Sequence, residues 1–273
     1  MIKADGLSKI TNYEKVTNEY SPSFSGIVAG ECKGDLWVDQ VQNPKIAVAN
    51  SYAVGGFAFF GAIESEEESN SVKGFIHKQL FAWLKSKEIG YFEFSIESDG
   101  LRNQVLNMFD DQEIQSEKEF SFRKKDETPE SLHLPEEYIL HEVDHKFWAS
   151  LNEGAFDNRS FVTERIRGSW QSFDDFHQRS LAFCITHSTK IVAVIAGTAS
   201  FNDVIAIDIE TEEAHRNKGL ALLLTGKFVN ECVSRGLTAQ WDCVESNPAS
   251  RKLAEKAGFT FIKQNEVYWV KNL

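Results

Sequence analysis

The densest chemistry in this 273-residue chain lies in one connection, Thr211-Glu-Glu-Ala-His215-Arg216-Asn217-Lys218-Gly219-Leu220-Ala221. It joins a strand-like run, Val204–Thr211, to a segment with apolar residues at Leu220, Leu223, Leu224, Phe228 and Cys232, which is a helical period. Arg216-x-x-Gly219-x-Ala221 places small residues where the backbone must turn tightly and a ligand must come close. The unpaired N–H groups at a helix start, with the helix dipole, suit an anion such as a pyrophosphate. Arg216 and Lys218 add positive charge there, within a chain whose net charge is −12. The four cysteines, Cys32, Cys184, Cys232 and Cys243, have no C-x-x-C or metal-ligand spacing, so they read as reduced thiols and the expected metal site is none.

The elements around this connection follow from pattern. Strands are expected over Leu181–Thr186, Ile191–Ala199 and Ala239–Val244, and near Tyr138–Val143; helices are expected around Asp144–Leu151, Phe173–Arg179 and Gly219–Ser234. Asn247 and Pro248 suit the cap and first position of a further short helix, and a strand pair is expected over Thr260–Val270. The first half repeats the order. Lys73-Gly74 is read as opening a helix, then come a strand Tyr91–Ile96, Glu97-Ser-Asp99, a helix Leu101–Phe109 and a strand Ser116–Phe122. Glu245-Ser-Asn247 holds the place of Glu97-Ser-Asp99 at an offset of 148 residues. Identity between the halves is slight, so the duplication rests on the order of elements. A polar stretch beginning at Lys124 holds two of the five prolines and is read as a connection, with domains expected at 1–130 and 131–273.

The [Arg/Gln]-x-x-Gly-x-[Gly/Ala] signature at Arg216–Ala221, with Asn247 and Lys256-Ala-Gly-Phe259 downstream, resembles the GNAT superfamily of acetyl-CoA-dependent N-acetyltransferases. Ser169-Trp-Gln-Ser-Phe173, Phe183-Cys184, Ile209-Glu-Thr211, His215-Arg216, Lys218-Gly-Leu-Ala221 and Trp241-Asp-Cys243 resemble its zwittermicin A-resistance-like branch. The resemblance implies an α/β fold with a mixed sheet, in tandem: a degenerate N-terminal half and a functional C-terminal half. It implies that pantetheine enters between the strand ending at Thr211 and the strand Ala239–Val244, against backbone of Ile209, Glu210 and Thr211. The pyrophosphate would lie on the amides of Lys218, Gly219, Leu220 and Ala221, with Arg216 and Asn217 also in the cofactor-binding loop, and Asn247 and Ser250 would approach the pantetheine arm. The expected counterpart loop, Ser71-Val-Lys-Gly74-Phe-Ile76, lacks the leading Arg or Gln and carries bulky residues, so one acetyl-CoA site is expected, in the second half.

N-acetylation needs a neutral amine, a place for the developing oxyanion and a proton for the leaving thiolate. Glu210 is the first candidate for the base, because strand alternation turns it away from Ile209 and Thr211; Asp208 shares its face. Asp242, on the adjoining strand, resembles the base position of some family members. The tyrosine that many members use as acid is Ala254 here, which leaves water, Ser250 or the leaving ammonium. Asn247 is equally a helix cap, His215 reads as loop surface or packing, Cys243 as core, and Trp170 and Phe173 as either core or acceptor-pocket residues.

At 42% hydrophobic and 26% charged residues the composition is that of a globular protein. An excess of acids disfavours nucleic acid and anionic membranes as partners and leaves a small cationic amine open. The opening residues lack an apolar stretch of secretory length, and no run nears the ~18 residues of a membrane span, so a cytoplasmic location is expected. Two functions are carried forward: acetyl transfer to an amine, and a non-catalytic acyl-CoA-binding or regulatory protein on the same duplicated scaffold. The oligomeric state is unknown from sequence.

Overall fold

The computed structural model describes residues 1–4, 10–129 and 133–271. Contacts divide the chain into two compact units: Met1–Glu119 with the segment from Gln264 onward, and Phe120–Lys263. The boundary expected at 130/131 lies outside the described residues.

The first unit runs β1 (Ile2–Lys3), α1 (Pro22–Ala29), β2 (Gly34–Val38), β3 (Ile46–Ser51), β4 (Phe57–Gly61), α2 (Glu66–Phe75), α3 (Phe81–Ser86), β5 (Tyr91–Ile96), α4 (Arg102–Leu106) and the start of β6 (Ile114–Lys124). β1 to β4 pair antiparallel in sequence order, and β4 pairs parallel with β5. A π-helical turn, Ile76–Leu80, joins α2 to α3. Phe57, Phe59, Phe75, Phe81, Phe92 and Phe94 form one buried cluster between the sheet and α2 and α3. Each such ring contributes about 1.5–3 kcal/mol by leaving water. One expectation is corrected here. Lys73-Gly74 does not open the helix: α2 begins eight residues before Gly74, at Glu66, where Ser65 and Glu68 form a capping box.

The second unit runs from the end of β6 through β7 (Tyr138–Glu142), α5 (His145–Asn152), α6 (Ser160–Ser169), α7 (Phe173–Arg179), β8 (Ala182–His187), β9 (Lys190–Phe201), β10 (Val204–Thr211), α8 (Leu220–Ser234), β11 (Thr238–Val244) and α9 (Pro248–Lys256). β7, β8, β9 and β10 pair antiparallel in that order, and β10 pairs parallel with β11. Asp144 and Ser172 cap α5 and α7 through their side chains. Sequence pattern did not reveal α6. It has no side-chain cap, and its buried face is only Val162, Thr163, Ile166 and Ser169. Packing against β9 holds it, which is a tertiary cause. The strand pair expected at the end is instead one twelve-residue strand, β12 (Thr260–Lys271). Its later part pairs antiparallel with β5 in the first unit. The order strand, helix, parallel strand, helix, strand thus occurs twice, as β4–α2–α3–β5–α4–β6 and β10–α8–β11–α9–β12.

Candidate active site

Parallel pairing of β10 with β11 covers Val204↔Thr238, Ile205↔Ala239 and Ala206↔Gln240, and ends there. β10 continues for five residues, Ile207–Thr211, hydrogen-bonded in register only to β9. The cause lies on the other side of the strand. Between Ala206 and Ile207 the register on β9 jumps from Ala199 to Gly197, leaving Thr198 as an extra residue. A bulge bends a strand and increases its twist. Here it falls at the last β10–β11 pair, so the two strands part. The Gly197 carbonyl accepts hydrogen bonds from Trp170 Nε1 (3.0 Å) and Ser180 Oγ (2.9 Å). A Cβ on Gly197 would sit 2.2 Å from Ser180 Oγ and 2.5 Å from Ile205 Cγ2. Trp170 is therefore a core residue that holds the bulge.

The opened edge leads into the loop. Thr211 Oγ1 is buried there with no partner among the described residues. Arg216 Nε donates to Thr211 O (3.1 Å), closing the loop on itself. Asn217 and Gly219 both take left-handed backbone, with φ of 62° and 80°. Gly219 caps α8, and no side chain bonds the first-turn amides. Nothing lies within 4 Å of where a Gly219 Cβ would be, so the glycine is needed for its φ and open space adjoins it. Leu220 is buried beneath the helix start, while Arg216, Asn217 and Lys218 are exposed. The Lys218 ammonium lies 2.8 Å from Tyr138 Oη, which in turn lies 2.9 Å from His215 Nδ1. That hydrogen bond to Tyr138 raises the Lys218 pKa. Burial, with Lys218 and His187 nearby, lowers that of His215. His215 is loop packing with a defined partner.

Alternation along β10 puts Asp208 and Glu210 on one face and Ile207 and Ile209 against the core beneath α8. Arg165 of α6 spans the two carboxylates. Its Nη2 donates to Glu210 Oε2 (2.7 Å), and its Nε lies 2.8 Å from Asp208 Oδ2, close enough for an ion pair but off the line of a hydrogen bond. Its Nη1 donates to Phe161 O (2.7 Å). The arginine side chain is 15% exposed, whereas those of Asp208 and Glu210 are 47% and 45% exposed. On β11, Gln240 Nε2 donates to both Asp242 oxygens (3.0 and 3.1 Å), and Arg123 Nε donates to Gln240 Oε1 (2.9 Å). Trp241 and Cys243 face the core. Strand alternation therefore brings Glu210 and Asp242 to one face of the parted strands.

Asn247 is the α9 cap, its Oδ1 accepting from Ser250 N (3.1 Å). Ser250 Oγ accepts from Trp241 Nε1 (2.9 Å). Asn247 keeps its amide donors and Ser250 its hydroxyl proton for a ligand. Ala254 is buried and carries no acid. A cleft of about 380 Å³ runs beside α8, lined among others by Lys124, Thr128, Leu222, Leu223, Lys227 and Lys256. Leu222 and Leu223 belong to the first turns of α8, so the cleft begins next to the uncapped amides.

Sequence reasoning missed Arg165, Tyr138 and the lysines of this cleft. Arg165 lies on the helix that pattern did not reveal, and Tyr138 reaches the loop only through the pairing of β7 with β8. Among the described residues no group of three or more His, Cys, Asp or Glu side chains could hold a metal ion, and no helix is long and apolar enough to cross a membrane. All four cysteines are unbridged; burial pushes the Cys184 thiol up, and that of Cys232 up to about 12.

Comparison with known proteins identifies the family and the fold. A family model described as GNAT acetyltransferase matches residues 15–268. An uncharacterized N-acetyltransferase, YdfB of Bacillus subtilis (strain 168), is 23% identical over 257 residues, covering 92% of each chain. Among solved structures, a GCN5-related N-acetyltransferase-like protein from Streptococcus suis 89/1591 superimposes with a TM-score of 0.59 at 20% identity, over 87% of this chain and 88% of the other. A tandem GNAT protein from the clavulanic acid biosynthesis pathway superimposes with a TM-score of 0.57 at 9% identity, over 97% and 88%.

Proposed function

The chain belongs to the GNAT acetyltransferase family and is an acyltransferase, and from that premise we propose that it acetylates the primary amine of a small cationic acceptor, with acetyl-CoA as donor. The observation that carries the reading is the ending of β10–β11 pairing at Ala206/Gln240, just before an uncapped loop and helix start. The resemblance of Ser169–Phe173 and Trp241–Cys243 to the zwittermicin A-resistance-like branch supports an amino-bearing antibiotic or metabolite as acceptor.

The residues fit the donor. From Ile207 to Thr211 the backbone has no β11 partner, Thr211 O being taken instead by Arg216 Nε, and Thr211 Oγ1 is an orphaned buried polar atom. Ile209, Glu210 and Thr211 would hold the pantetheine arm, with Asn247 Nδ2 and Ser250 Oγ beside it. Arg216 to Ala221 would hold the pyrophosphate. Lys227 and Lys256 of the adjoining cleft would meet the nucleotide end. When bound, acetyl-CoA supplies the activated acetyl group.

Asp208 and Glu210 carry two negative charges against the single charge of Arg165 and are about half exposed, which favours a cationic acceptor. Glu210 Oε2 is held by Arg165, so Oε1 is the atom placed to take the amine proton. Asp242, oriented by Gln240, is the second candidate on the same face. The first unit is assigned as a degenerate copy without a donor site. Unbridged thiols support a cytoplasmic location.

The test is CoA release from acetyl-CoA across an amine panel, with mass spectrometry of the product. Acetylated cationic amines are expected; acetyl-CoA binding without CoA release on any amine would overturn the proposal. Glu210→Gln should lower kcat by about 10²-fold with acetyl-CoA affinity retained. Unchanged kcat would move the base to Asp242, to be checked with Asp242→Asn.

A further inference from the structure

Tyr138 opens β7, the strand paired with β8 at the Tyr138↔His187 register. It is 4% exposed, yet its hydroxyl leaves the core to meet two side chains of one loop. Lys218 Nζ lies 2.8 Å from Oη, and Oη lies 2.9 Å from His215 Nδ1. An ammonium only donates, so Oη accepts from Lys218. The same oxygen shares one proton with His215 Nδ1, on the side the ring's tautomer sets. The Lys218 ammonium also lies over the Tyr138 ring, 5.4 Å from its centre; the His215 ring meets the Tyr138 ring edge-on and the His187 ring is tilted against both. The two contacts fall on either side of Arg216-Asn217, the tightest part of the loop.

We infer that Tyr138 is a positioning residue: its hydroxyl staples His215 and Lys218 and so holds the Arg216–Ala221 loop in its anion-accepting shape before any ligand arrives. Asn217 and Gly219 both sit in left-handed backbone, which a free loop samples only part of the time. The closure from Arg216 ties the loop to Thr211, the last residue of the strand it follows, whereas Tyr138 ties it to a strand distant in sequence, β7. Preorganisation lowers the ordering cost of binding, so its loss appears in affinity and spares the chemical step. This inference rests on the donor site proposed above.

The experiment compares wild type with Tyr138→Phe, which keeps the ring and removes the hydroxyl. In the ligand-free protein, hydrogen exchange of the 212–221 amides is expected to speed up about tenfold, with the thermal midpoint of unfolding nearly held. CoA binding measured by calorimetry is expected to weaken about tenfold, and KM for acetyl-CoA to rise in step, while kcat at saturation stays within about twofold. If Tyr138→Phe does not fold, His215→Phe, on the loop itself, decides by the same readouts. Unchanged exchange and CoA affinity in the variant, or a fall in kcat with KM unmoved, would overturn the inference. Wild type that binds no CoA would instead remove the donor site on which it rests.

Discussion

β4 and β5 in the first unit, and β10 and β11 in the second, are the same kind of pair: parallel strands joined through a helix. In the first unit the seam stays closed. Phe57↔Phe94, Ala58↔Ser95 and Phe59↔Ile96 pair, Glu97 N donates to Phe59 O (2.9 Å), and Gly61 N donates to Ser98 Oγ (2.9 Å). β3 meets β4 with no shift in register. In the second unit a bulge at Gly197–Ala199 faces the last paired residues, and the seam opens. The helix starts differ in the same sense. α8 begins at Gly219 with its amides uncapped. α2 begins behind Ser65, whose hydroxyl takes the Glu68 amide, while the Glu68 carboxylate takes the amides of Ser65 and Glu64. Glu66, Glu67 and Glu68 fill its first turn, so an anion would meet carboxylates. A shared order of elements thus leaves a strand edge unpaired beside an uncapped helix start only where one extra residue shifts the neighbouring register.

That contrast can be broken at four points, in decreasing order of effect. Gly197→Ala removes the room the bulge needs. We expect a loss of about 2–3 kcal/mol in denaturant unfolding and a fall in kcat/KM on the order of 100-fold. A variant that keeps both would show that the bulge does not open the strands. Gly219→Trp leaves the sheet alone and alters the helix start. A stability cost of about 1 kcal/mol and weakening of acetyl-CoA by more than about tenfold are expected, read by thermal shift with and without ligand. Ser65→Ala uncaps the first unit instead. It should cost about 1 kcal/mol and leave acetyl-CoA at one per chain with unaltered affinity, as calorimetry would report. A second binding event would contradict the closed seam.

The smallest effect is one of pH. Burial lowers the His141 pKa, and burial with neighbouring cations lowers that of His215. In both cases the unfolded chain binds the proton more readily. The stabilising difference is complete above the ordinary value of 6.5 and is lost as pH falls from there through the lowered folded values. Both residues lie in the second unit. Unfolding followed by a probe in that unit should therefore show the larger acid sensitivity below pH 6.5. Equal acid shifts in both units would argue that carboxylates dominate.

Much of this was legible in the chain. The run Val204–Thr211 was read as a strand with the bounds it has, and Asn247 and Pro248 as a cap and first turn, because alternation and capping are local. The loop Arg216–Ala221 was legible because glycine at positive φ and a helix start leave a mark in residue type. The first-unit counterpart was misplaced for the converse reason. Gly74 lies inside a helix and does no turning, while the true start at Ser65 carries no glycine at all. α6 escaped because its stability comes from β9, and Arg165 escaped with it.

The sequence by itself determined most elements of the second unit and the repeated order of the later elements of the first, since periodicity, caps and glycine conformations act over a few positions. It also determined that Glu210 and Asp242 turn away from the core, because strand alternation does not depend on partners. Only the tertiary structure decided that β10 and β11 part and β4 and β5 do not. That outcome depends on a register shift against β9, held by Trp170 and Ser180 on a glycine carbonyl, and register belongs to pairs of strands. The partners of the candidate side chains were decided there too: Arg165 on Glu210, Gln240 on Asp242 and Tyr138 on the loop. Each of those contacts joins residues that are neighbours only after the sheet has formed or its alternation has been set.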